Sequence, residues 1–330
     1  MRGLNRDICH AHSCATTALH GGAMDGFDKV GGATKNSAGV TDNLTYIHYT
    51  EDQIPNYWKI ARNFVLADHV FSTTLGPSFP GHFATVAGFN YGLSNPACAC
   101  GGTCTIPVYD PNTCAISNQV PCWDVPSVVQ ELPTGYTWAE YGWSMMVNIK
   151  SVTQMPGYKT HLKLEASLLA DIQGGNPPNL MYAHLSSGVE GEHPPSAVCP
   201  GENQTVSILN ALMKSPHWKE TAVVVLWDDW GGFYDSVPPP APKCSNGDYM
   251  RQGFRIPMMI ISPYAKAGYV LKTPAEQASV LKLVEDLWNL PRLSTKDARI
   301  RDESSGSLMG AFDFTQAPRA PITLTPRICP

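Results

Sequence analysis

The stretch from Thr221 to Pro240, TAVVVLWDDWGGFYDSVPPP, constrains the fold more than any other part of the chain. Its valine-rich run, Ala222–Leu226, predicts a fully buried strand of a parallel sheet. Two adjacent carboxylates, Asp228 and Asp229, follow this run. Ligands of open α/β sheets bind at the carboxyl ends of strands. Because neighbouring carboxylates repel unless a cation or proton separates them, the couplet predicts a divalent metal site. A solvated turn is the alternative.

The composition and length of the chain indicate which partners and how many domains to expect. The chain has 330 residues, of which 15% are charged, and a net charge of −5. Since no basic stripe is visible, we do not expect nucleic acid as a partner. No run of 18 apolar residues occurs, so no transmembrane segment is expected. The length fits a single large domain over 1–330 with insertions.

The ten cysteines indicate an oxidising compartment. Five of them fall in a Gly- and Pro-rich segment at about 95–123, which we interpret as a disulfide-pinned insertion. Zinc binding by its CACGGTC motif is the alternative. The first twenty residues lack the apolar core of a signal peptide. We therefore expect a secreted or periplasmic protein whose natural N-terminus, with its signal, is missing from this chain.

Helical and extended patterns alternate along the chain, which predicts an α/β fold: a layered sandwich with a mostly parallel central sheet. Helices are predicted over 50–64, 82–88, 158–172, 203–215 and 275–290. Strands are predicted over 137–141, 144–149, 179–185, 222–226 and 256–262.

A serine stands at the start of one predicted helix. Ser78 follows Gly76-Pro77 and precedes Pro80, which suits a first helical turn. Backbone N–H groups and the positive end of the helix dipole would favour a phosphate or an alkoxide nucleophile there. A plain helix cap is the other interpretation.

Three histidines lie in segments that could carry chemistry. His193 is held between Glu192 and two prolines, which suits an acid/base or phosphate-binding group as well as a surface loop. His10 and His12 are two residues apart, so a strand would point both rings to one face and suit a metal. A surface loop closed by a Cys9–Cys14 disulfide is the alternative.

Taken together, several segments resemble the bacterial phosphoesterase family of phospholipase C and acid phosphatase enzymes, within the alkaline phosphatase superfamily. They occur in the family's order and cover almost the whole chain. The matching segments are GGAMDGF (Gly21–Phe27), the stretch Tyr49–His82 that contains LGPSFPGH, EGEHPPS (Glu190–Ser196), SPHWKETAVVVLWDDWGGFYDSVPPP (Ser215–Pro240), RIPMMIISPYAKAG (Arg255–Gly268) and AFDFTQAPR (Ala311–Arg319).

The resemblance implies an alkaline-phosphatase-like fold and a role for each matching residue. Ser78 corresponds to the nucleophile, and Asp228 with Asp229 to the carboxylates that bind the catalytic divalent metal. His193 corresponds to the active-site histidine. His10 and His82 occupy positions expected to bind the substrate.

The chain departs from the family's pattern in two places. Family members begin with a strand and a Glu-Asn-x-x-Phe-Asp motif that supplies further metal ligands, and this chain starts after that point. Family members also often carry Asp-His near the position of Ala275-Glu276-Gln277 in this chain. The first departure makes an inactive, truncated homologue that only binds ligands an alternative to an enzyme.

The resemblance implies metal-dependent hydrolysis of a phosphate ester through a seryl-phosphate intermediate. A phospholipase C-like reaction on a phospholipid is the first expectation. An acid phosphatase acting on phosphomonoesters is the alternative.

Overall fold

The computed structural model describes residues 6–35, 39, 41–89, 91–110, 112–185, 191–240, 244 and 252–329. Glu190 of the EGEHPPS segment lies outside these residues. The α-helices are α1 (His12–Leu19), α2 (Pro55–Asn63), α3 (Ser78–Ala87), α4 (Lys150–Thr153), α5 (Ser167–Gln173), α6 (Val198–Lys214) and α7 (Ala278–Trp288). The strands are β1 (Val65–Ala67), β2 (Val70–Phe71), β3 (Ile106–Tyr109), β4 (Ile116–Gln119), β5 (Trp138–Gly142), β6 (Leu162–Lys163), β7 (Leu180–His184), β8 (Val223–Leu226), β9 (Met258–Ile261), β10 (Tyr269–Leu271) and β11 (Ala275–Glu276).

Two sheets form the framework. One has the strand order β10-β1-β9-β8, and the other, β6-β5-β7, is entirely parallel. In the first sheet β1 pairs with β10 in parallel, whereas β9 runs antiparallel to both β1 and β8. Together with the helices, these sheets confirm the α/β class.

The valine-rich segment forms β8, but its predicted environment was wrong. Val223–Leu226 pairs antiparallel with β9, and all four residues are only partly buried. The pattern of apolar residues predicts the strand because valine suits a pleated surface. The same pattern does not indicate whether the neighbouring strand runs parallel or antiparallel, because that strand comes from a distant segment.

Three other local predictions were wrong. Residues 144–149 are not extended; they include a 3₁₀ turn at Met146–Asn148. The predicted helix 158–172 divides into a 3₁₀ turn, β6 and α5. His12 starts α1 after a loop, so His10 and His12 do not share a strand face. In each case we predicted a single regular element from the pattern of a short segment. The folded chain instead divides that segment between different local structures, because tertiary contacts decide them.

Helix α3 approaches the end of β8 very closely. Phe79 and Phe83 on α3 pack with Leu281 of α7 in one buried cluster. A Cβ atom at Gly81 would lie only 1.9 Å from the carbonyl oxygen of Asp228. Glycine is therefore required at this point, because any side chain would push α3 away from the acidic couplet.

Five disulfide bonds pair all ten cysteines: Cys9–Cys14, Cys98–Cys104, Cys100–Cys122, Cys114–Cys244 and Cys199–Cys329. Two of them close the cysteine-rich segment around the β3–β4 hairpin, and a third ties its tip to Cys244. The disulfide interpretation is confirmed, and zinc binding by the same cysteines is excluded. In the part of the chain that the structure describes, no helix is long and apolar enough to cross a lipid bilayer.

Candidate active site

The serine and the acidic couplet meet, although about 150 positions separate them in the sequence. Ser78 is the first residue of α3, and its Oγ donates a hydrogen bond of 3.2 Å to Oδ2 of Asp229. Ser78 is 9% exposed, so its hydroxyl lies at the floor of the site. The backbone N–H of Phe79 donates to Asn95 Oδ1 at 2.8 Å and is not free for a ligand. Other N–H groups of the first turn and the helix dipole remain to favour negative charge here.

A buried row of three side chains extends from Asp228 away from the solvent. His82 Nε2 lies 3.4 Å from Asp228 Oδ2, and His82 Nδ1 lies 2.8 Å from Nδ1 of His184. His184 Nε2 in turn lies 3.1 Å from Oε1 of Glu140. The Glu140 carboxylate also accepts hydrogen bonds from two backbone N–H groups and one hydroxyl, those of Met145, Met146 and Ser144.

The pKa values of the two carboxylates of the couplet are shifted in opposite directions. Burial, and next the charge of Asp228, raise the pKa of Asp229 to about 7. Burial also opposes ionisation of Asp228, but its contacts with His82 and Ser78 outweigh burial and lower the pKa of Asp228. In neutral solution Asp229 is therefore only partly ionised beside an ionised Asp228, unless a cation takes the place of its proton.

His184 is buried more deeply than any other histidine of the site. Burial lowers the pKa of His184, and the neighbouring His82 lowers it further against the opposing effect of Glu140. The ring is therefore neutral near pH 7, with one hydrogen to place on its two nitrogens.

Two further histidines lie at the mouth of the site. The rings of His10 and His193 are 5.1 Å apart and meet edge to face. Nδ1 of His10 bonds the carbonyl of Ile8 at 2.8 Å, and Nδ1 of His193 bonds the carbonyl of Pro194 at 2.6 Å. The Nδ1 atoms therefore carry hydrogen, and the Nε2 atoms remain available to a ligand.

The negative charge of the couplet affects the protonation of one of these two histidines. Burial opposes the charged form of His10, but the carboxylates of Asp229, Asp7 and Asp228 outweigh burial and raise its pKa. Asp7, His10 and His193 each place one potential ligand atom within 4.8 Å of the others. This group could hold a cation or, with protonated histidines, an anionic phosphate.

The donor set at the couplet fits a divalent metal. Two carboxylates and the Ser78 hydroxyl supply oxygen atoms, the ligands that hard divalent cations prefer. A cation would also remove the repulsion that raises the pKa of Asp229. Asp235, the third acid of the same stretch, does not join the set, because it pairs with Nε of Arg255 at 3.0 Å.

Sequence reasoning missed Glu140, His184 and Asp7. A charged residue inside the otherwise apolar strand WAEYG was a usable signal for Glu140, since a buried carboxylate requires partners. His184 lies near the end of the predicted strand 179–185, at the sheet edge where sites form. Nothing in the local sequence of Asp7 distinguishes it from a surface acid.

Gln277, in the segment where the chain departs from the family's pattern, also contacts the couplet. Its Nε2 donates to the backbone carbonyl of Asp228 at 2.7 Å, and its Oε1 accepts from the backbone of Thr73. This side chain joins the loop before α3 to the end of β8. It therefore fixes the distance between Ser78 and the couplet.

Comparison with known proteins gives one family. Residues 2–291 match the model of the Phosphoesterase family. Non-specific phospholipase C3 of Arabidopsis thaliana is 26% identical over 337 residues, which cover 91% of this chain and 58% of that protein. Phospholipase C A of Mycobacterium tuberculosis is 24% identical over 345 residues, covering 92% of this chain and 63% of that protein. The chain thus spans only part of the length of either relative.

Solved structures with a similar arrangement have low sequence identity. Murine ectonucleotide pyrophosphatase/phosphodiesterase 5 in complex with AMP is 12% identical with a TM-score of 0.48, over 75% of this chain and 94% of that one. A protein in the alkaline phosphatase superfamily from Vibrio parahaemolyticus is 14% identical with a TM-score of 0.41, over 71% and 60%.

Proposed function

The chain belongs to the phosphoesterase family, and from that premise we propose that it hydrolyses phosphate esters through a phosphoserine at Ser78. The observation that supports this proposal is the 3.2 Å hydrogen bond from Ser78 Oγ to Asp229. It joins a hydroxyl at a helix N-terminus to a carboxylate that can accept its hydrogen. That pairing of nucleophile and base is the general arrangement for covalent catalysis.

In the first step Ser78 Oγ attacks phosphorus while its hydrogen passes to the couplet. The bond between phosphorus and the alcohol oxygen breaks, and the alcohol leaves with a proton from His193 Nε2. The products are a phosphoserine and a free alcohol. His10, whose pKa the nearby carboxylates raise, binds a phosphoryl oxygen as a cation.

In the second step water takes the place of the alcohol. His193 accepts a proton from the water, whose oxygen forms a bond to phosphorus as the bond to Ser78 Oγ breaks. Phosphate, or a phosphomonoester if the substrate was a diester, is released. The serine recovers its hydrogen from the couplet, so atoms and protons balance over the cycle.

A divalent metal would be held by Asp228, Asp229 and the Ser78 hydroxyl. When bound, it supplies electrostatic stabilisation of the phosphoryl oxygens and favours the alkoxide of the nucleophile. The residues themselves provide the position of that nucleophile, because Gly81 and Gln277 hold α3 against the end of β8.

We propose phospholipids as the substrate class, since both relatives named above are phospholipases C by their names. Phosphomonoesters are the alternative class. Five disulfides indicate folding in an oxidising compartment, and we infer a secreted or periplasmic protein.

The experiment compares wild type with Ser78→Ala in hydrolysis of p-nitrophenyl phosphate and phosphatidylcholine, with Mn²⁺ or Zn²⁺ added. Ser207→Ala, an exposed serine on α6 whose hydroxyl bonds only its own helix in the structure, is the matched control. We expect loss of about 10³-fold or more in kcat for Ser78→Ala and no change for the control. Unchanged hydrolysis in Ser78→Ala, or a wild-type chain that hydrolyses neither substrate, would refute the proposal.

A further inference from the structure

We propose that Glu192 is a positioning residue: its carboxyl group ties the loop that carries His193 to the residue before Asp228, and so fixes the distance between the general acid and the couplet. The inference rests on the proposed function in one respect, namely that His193 protonates the leaving alcohol. It adds a residue that acts through His193 and not on the substrate.

The carboxyl group of Glu192 joins its loop to two elements of the framework. Its Oε1 accepts a hydrogen bond of 2.6 Å from the hydroxyl of Tyr57 on α2. Its Oε2 accepts one of 3.0 Å from Nε1 of Trp227, which directly follows β8. The rings of Tyr57 and Trp227 are 5.2 Å apart and meet edge to face. Because each oxygen has its own donor, the carboxyl group is held in one orientation.

Tyr57 is itself held firmly, so it gives Glu192 a fixed support. It is 7% exposed, and its backbone N–H donates to Oε1 of Glu202 at 3.3 Å. Its hydroxyl oxygen also lies 3.3 Å from Oγ1 of Thr205 on α6. The single hydroxyl hydrogen of Tyr57 serves the shorter bond to Glu192, so Thr205 donates to Tyr57. Helix α6 therefore orients the donor that Glu192 uses.

Both ends of the bond between Glu192 and Trp227 lie next to a reacting group in the sequence. Glu192 precedes His193, and Trp227 precedes Asp228. Neighbouring Cα atoms are only about 3.8 Å apart across a trans peptide bond. The hydrogen bond between the two side chains therefore limits how far the backbone of His193 can move from that of Asp228.

The described contacts of the His193 side chain do not give it a comparable anchor. Its Nδ1 bonds the carbonyl of Pro194 in the same loop, and its ring meets the ring of His10, which also lies on a loop. A general acid must lie within hydrogen-bonding reach of the oxygen that it protonates, and a small displacement removes much of its effect. The position of His193 therefore depends on the anchor one residue before it.

The carboxyl group of Glu192 lies in an unfavourable place for a charge. Burial raises its pKa to about 7, against the opposing hydrogen bonds of Tyr57 and Trp227. A buried carboxyl group without such donors is destabilising. An acid kept in such surroundings beside a reacting group is typical of functional sites.

The first experiment compares kcat/KM of wild type and Glu192→Gln for two phosphomonoesters. Glycerol phosphate releases an alkyl alcohol that requires a proton, whereas p-nitrophenolate leaves without one. In the variant an amide NH₂ group faces one of the two donors and cannot accept its hydrogen bond. We expect kcat/KM to fall about tenfold or more for glycerol phosphate and about threefold or less for p-nitrophenyl phosphate.

The matched control is Glu51→Gln, the same change at an exposed glutamate that pairs with Arg62 of α2. It should leave kcat/KM unchanged for both substrates. Equal losses in Glu192→Gln for the two substrates would describe a purely structural role and would overturn the inference.

A second experiment makes the same change in a chain without its general acid. If Glu192 acts through His193, Glu192→Gln should change kcat/KM for glycerol phosphate less than about twofold in the His193→Ala background. A loss as large in that background as in wild type would mean that Glu192 acts independently of His193, which contradicts the inference.

A third variant keeps the inference testable if Glu192→Gln does not fold. Tyr57→Phe keeps the ring and removes one of the two donors to Glu192. We expect it to lower kcat/KM for glycerol phosphate about threefold or more, with a smaller change for p-nitrophenyl phosphate. Thermal unfolding checks that the variants are folded. If folded Tyr57→Phe hydrolysed glycerol phosphate like wild type, the inference would be wrong.

The variant His193→Ala separates this inference from the proposed function. If His193→Ala loses kcat/KM equally for both substrates, His193 is not the general acid and the proposed function fails at that step. If His193→Ala loses kcat/KM selectively for glycerol phosphate and Glu192→Gln does not, the proposed function stands and the role of Glu192 is refuted.

Discussion

The two halves of the candidate site are built in different ways. The inner half comprises Ser78, the couplet Asp228–Asp229 and the row His82–His184–Glu140, all on or next to helices and strands of the framework. The outer half comprises Asp7, His10 and His193, which lie on loops. In the inner half side chains bond to one another, whereas the two outer histidines bond backbone carbonyls.

This difference fits different tasks for the two halves in the proposed reaction. Groups that must keep a fixed separation, such as a nucleophile and metal ligands, lie where packing determines their positions. His193, which we propose to protonate the leaving alcohol, lies on a loop. His193 is exposed, so it can reach a bulky alcohol such as the one a phospholipid would release.

The largest expected effect comes from exchanging one carboxylate for an amide in each half. Asp228→Asn should lower kcat/KM for p-nitrophenyl phosphate about 10²- to 10³-fold, since it removes a charge contact of the reacting centre. Asp7→Asn is the matched change in the outer half and should cost less than about tenfold. Steady-state kinetics with saturating metal measure both. Equal losses would contradict the division between the halves.

The next effect concerns the outer half alone and depends on the leaving group. An alkyl alcohol requires a proton to leave, and p-nitrophenol does not, because its anion is stable. His193→Ala should therefore reduce kcat/KM, which reports the first step and not the hydrolysis of the phosphoserine, about 10²-fold for glycerol phosphate. The same variant should change kcat/KM for p-nitrophenyl phosphate only about threefold or less. A similar loss of kcat/KM with both substrates would show that His193 does not act as the general acid.

A smaller effect is expected on stability from the close approach of α3 to β8. Gly81→Ala places a Cβ atom against the Asp228 carbonyl and should destabilise the fold by about 1–3 kcal/mol. Gly76→Ala, only five positions earlier, meets no atom closer than 3.7 Å and serves as control. Urea unfolding measures both. If Gly81→Ala were as stable as Gly76→Ala, the separation of the two elements would not be fixed at this glycine.

The smallest expected effect concerns how the stability of the fold depends on pH. Titrating groups of the site and of the framework both contribute to that dependence. Burial, and next a hydrogen bond with Asp302, raise the pKa of Glu285 to about 7 in the folded chain. A carboxyl whose pKa rises on folding binds its proton more tightly in the folded state, so stability falls as pH rises from about 4.5 to 7.

Glu285→Gln resembles the protonated form and should remove this part of the decline. Urea unfolding of both proteins between pH 4 and pH 8 measures the difference. Any decline that remains in the variant belongs to other groups, Asp229 among them. If the two curves had the same slope, Glu285 would not be a source of the pH dependence.

The sequence predicted the strands and helices that bear the inner half, because those segments have clear periodicity and strong turn signals. The strand before the couplet and the helix at Ser78 were both expected, although α3 begins at Ser78 itself and not at residue 82. The resemblance also singled out Ser78 and Asp228–Asp229, which the structure brings within hydrogen-bonding distance.

What the sequence could not contain was the pairing between distant segments. The antiparallel direction of β8 depends on β9, more than 30 positions later, and the row from His82 to Glu140 joins three elements far apart in the chain. His82 was predicted to contact the substrate because it follows the nucleophile turn. The structure places its ring beside His184 and Asp228, and the contact with the substrate stays a prediction.

The most direct test of the account is to trap the covalent intermediate. Wild-type protein turning over p-nitrophenyl phosphate is quenched in acid, digested and analysed by mass spectrometry. The account predicts a phosphoryl group on the peptide that contains Ser78, and none on that peptide in Ser78→Ala. Rapid hydrolysis with the phosphoryl group on another residue, or on no residue at any quench time, would contradict it.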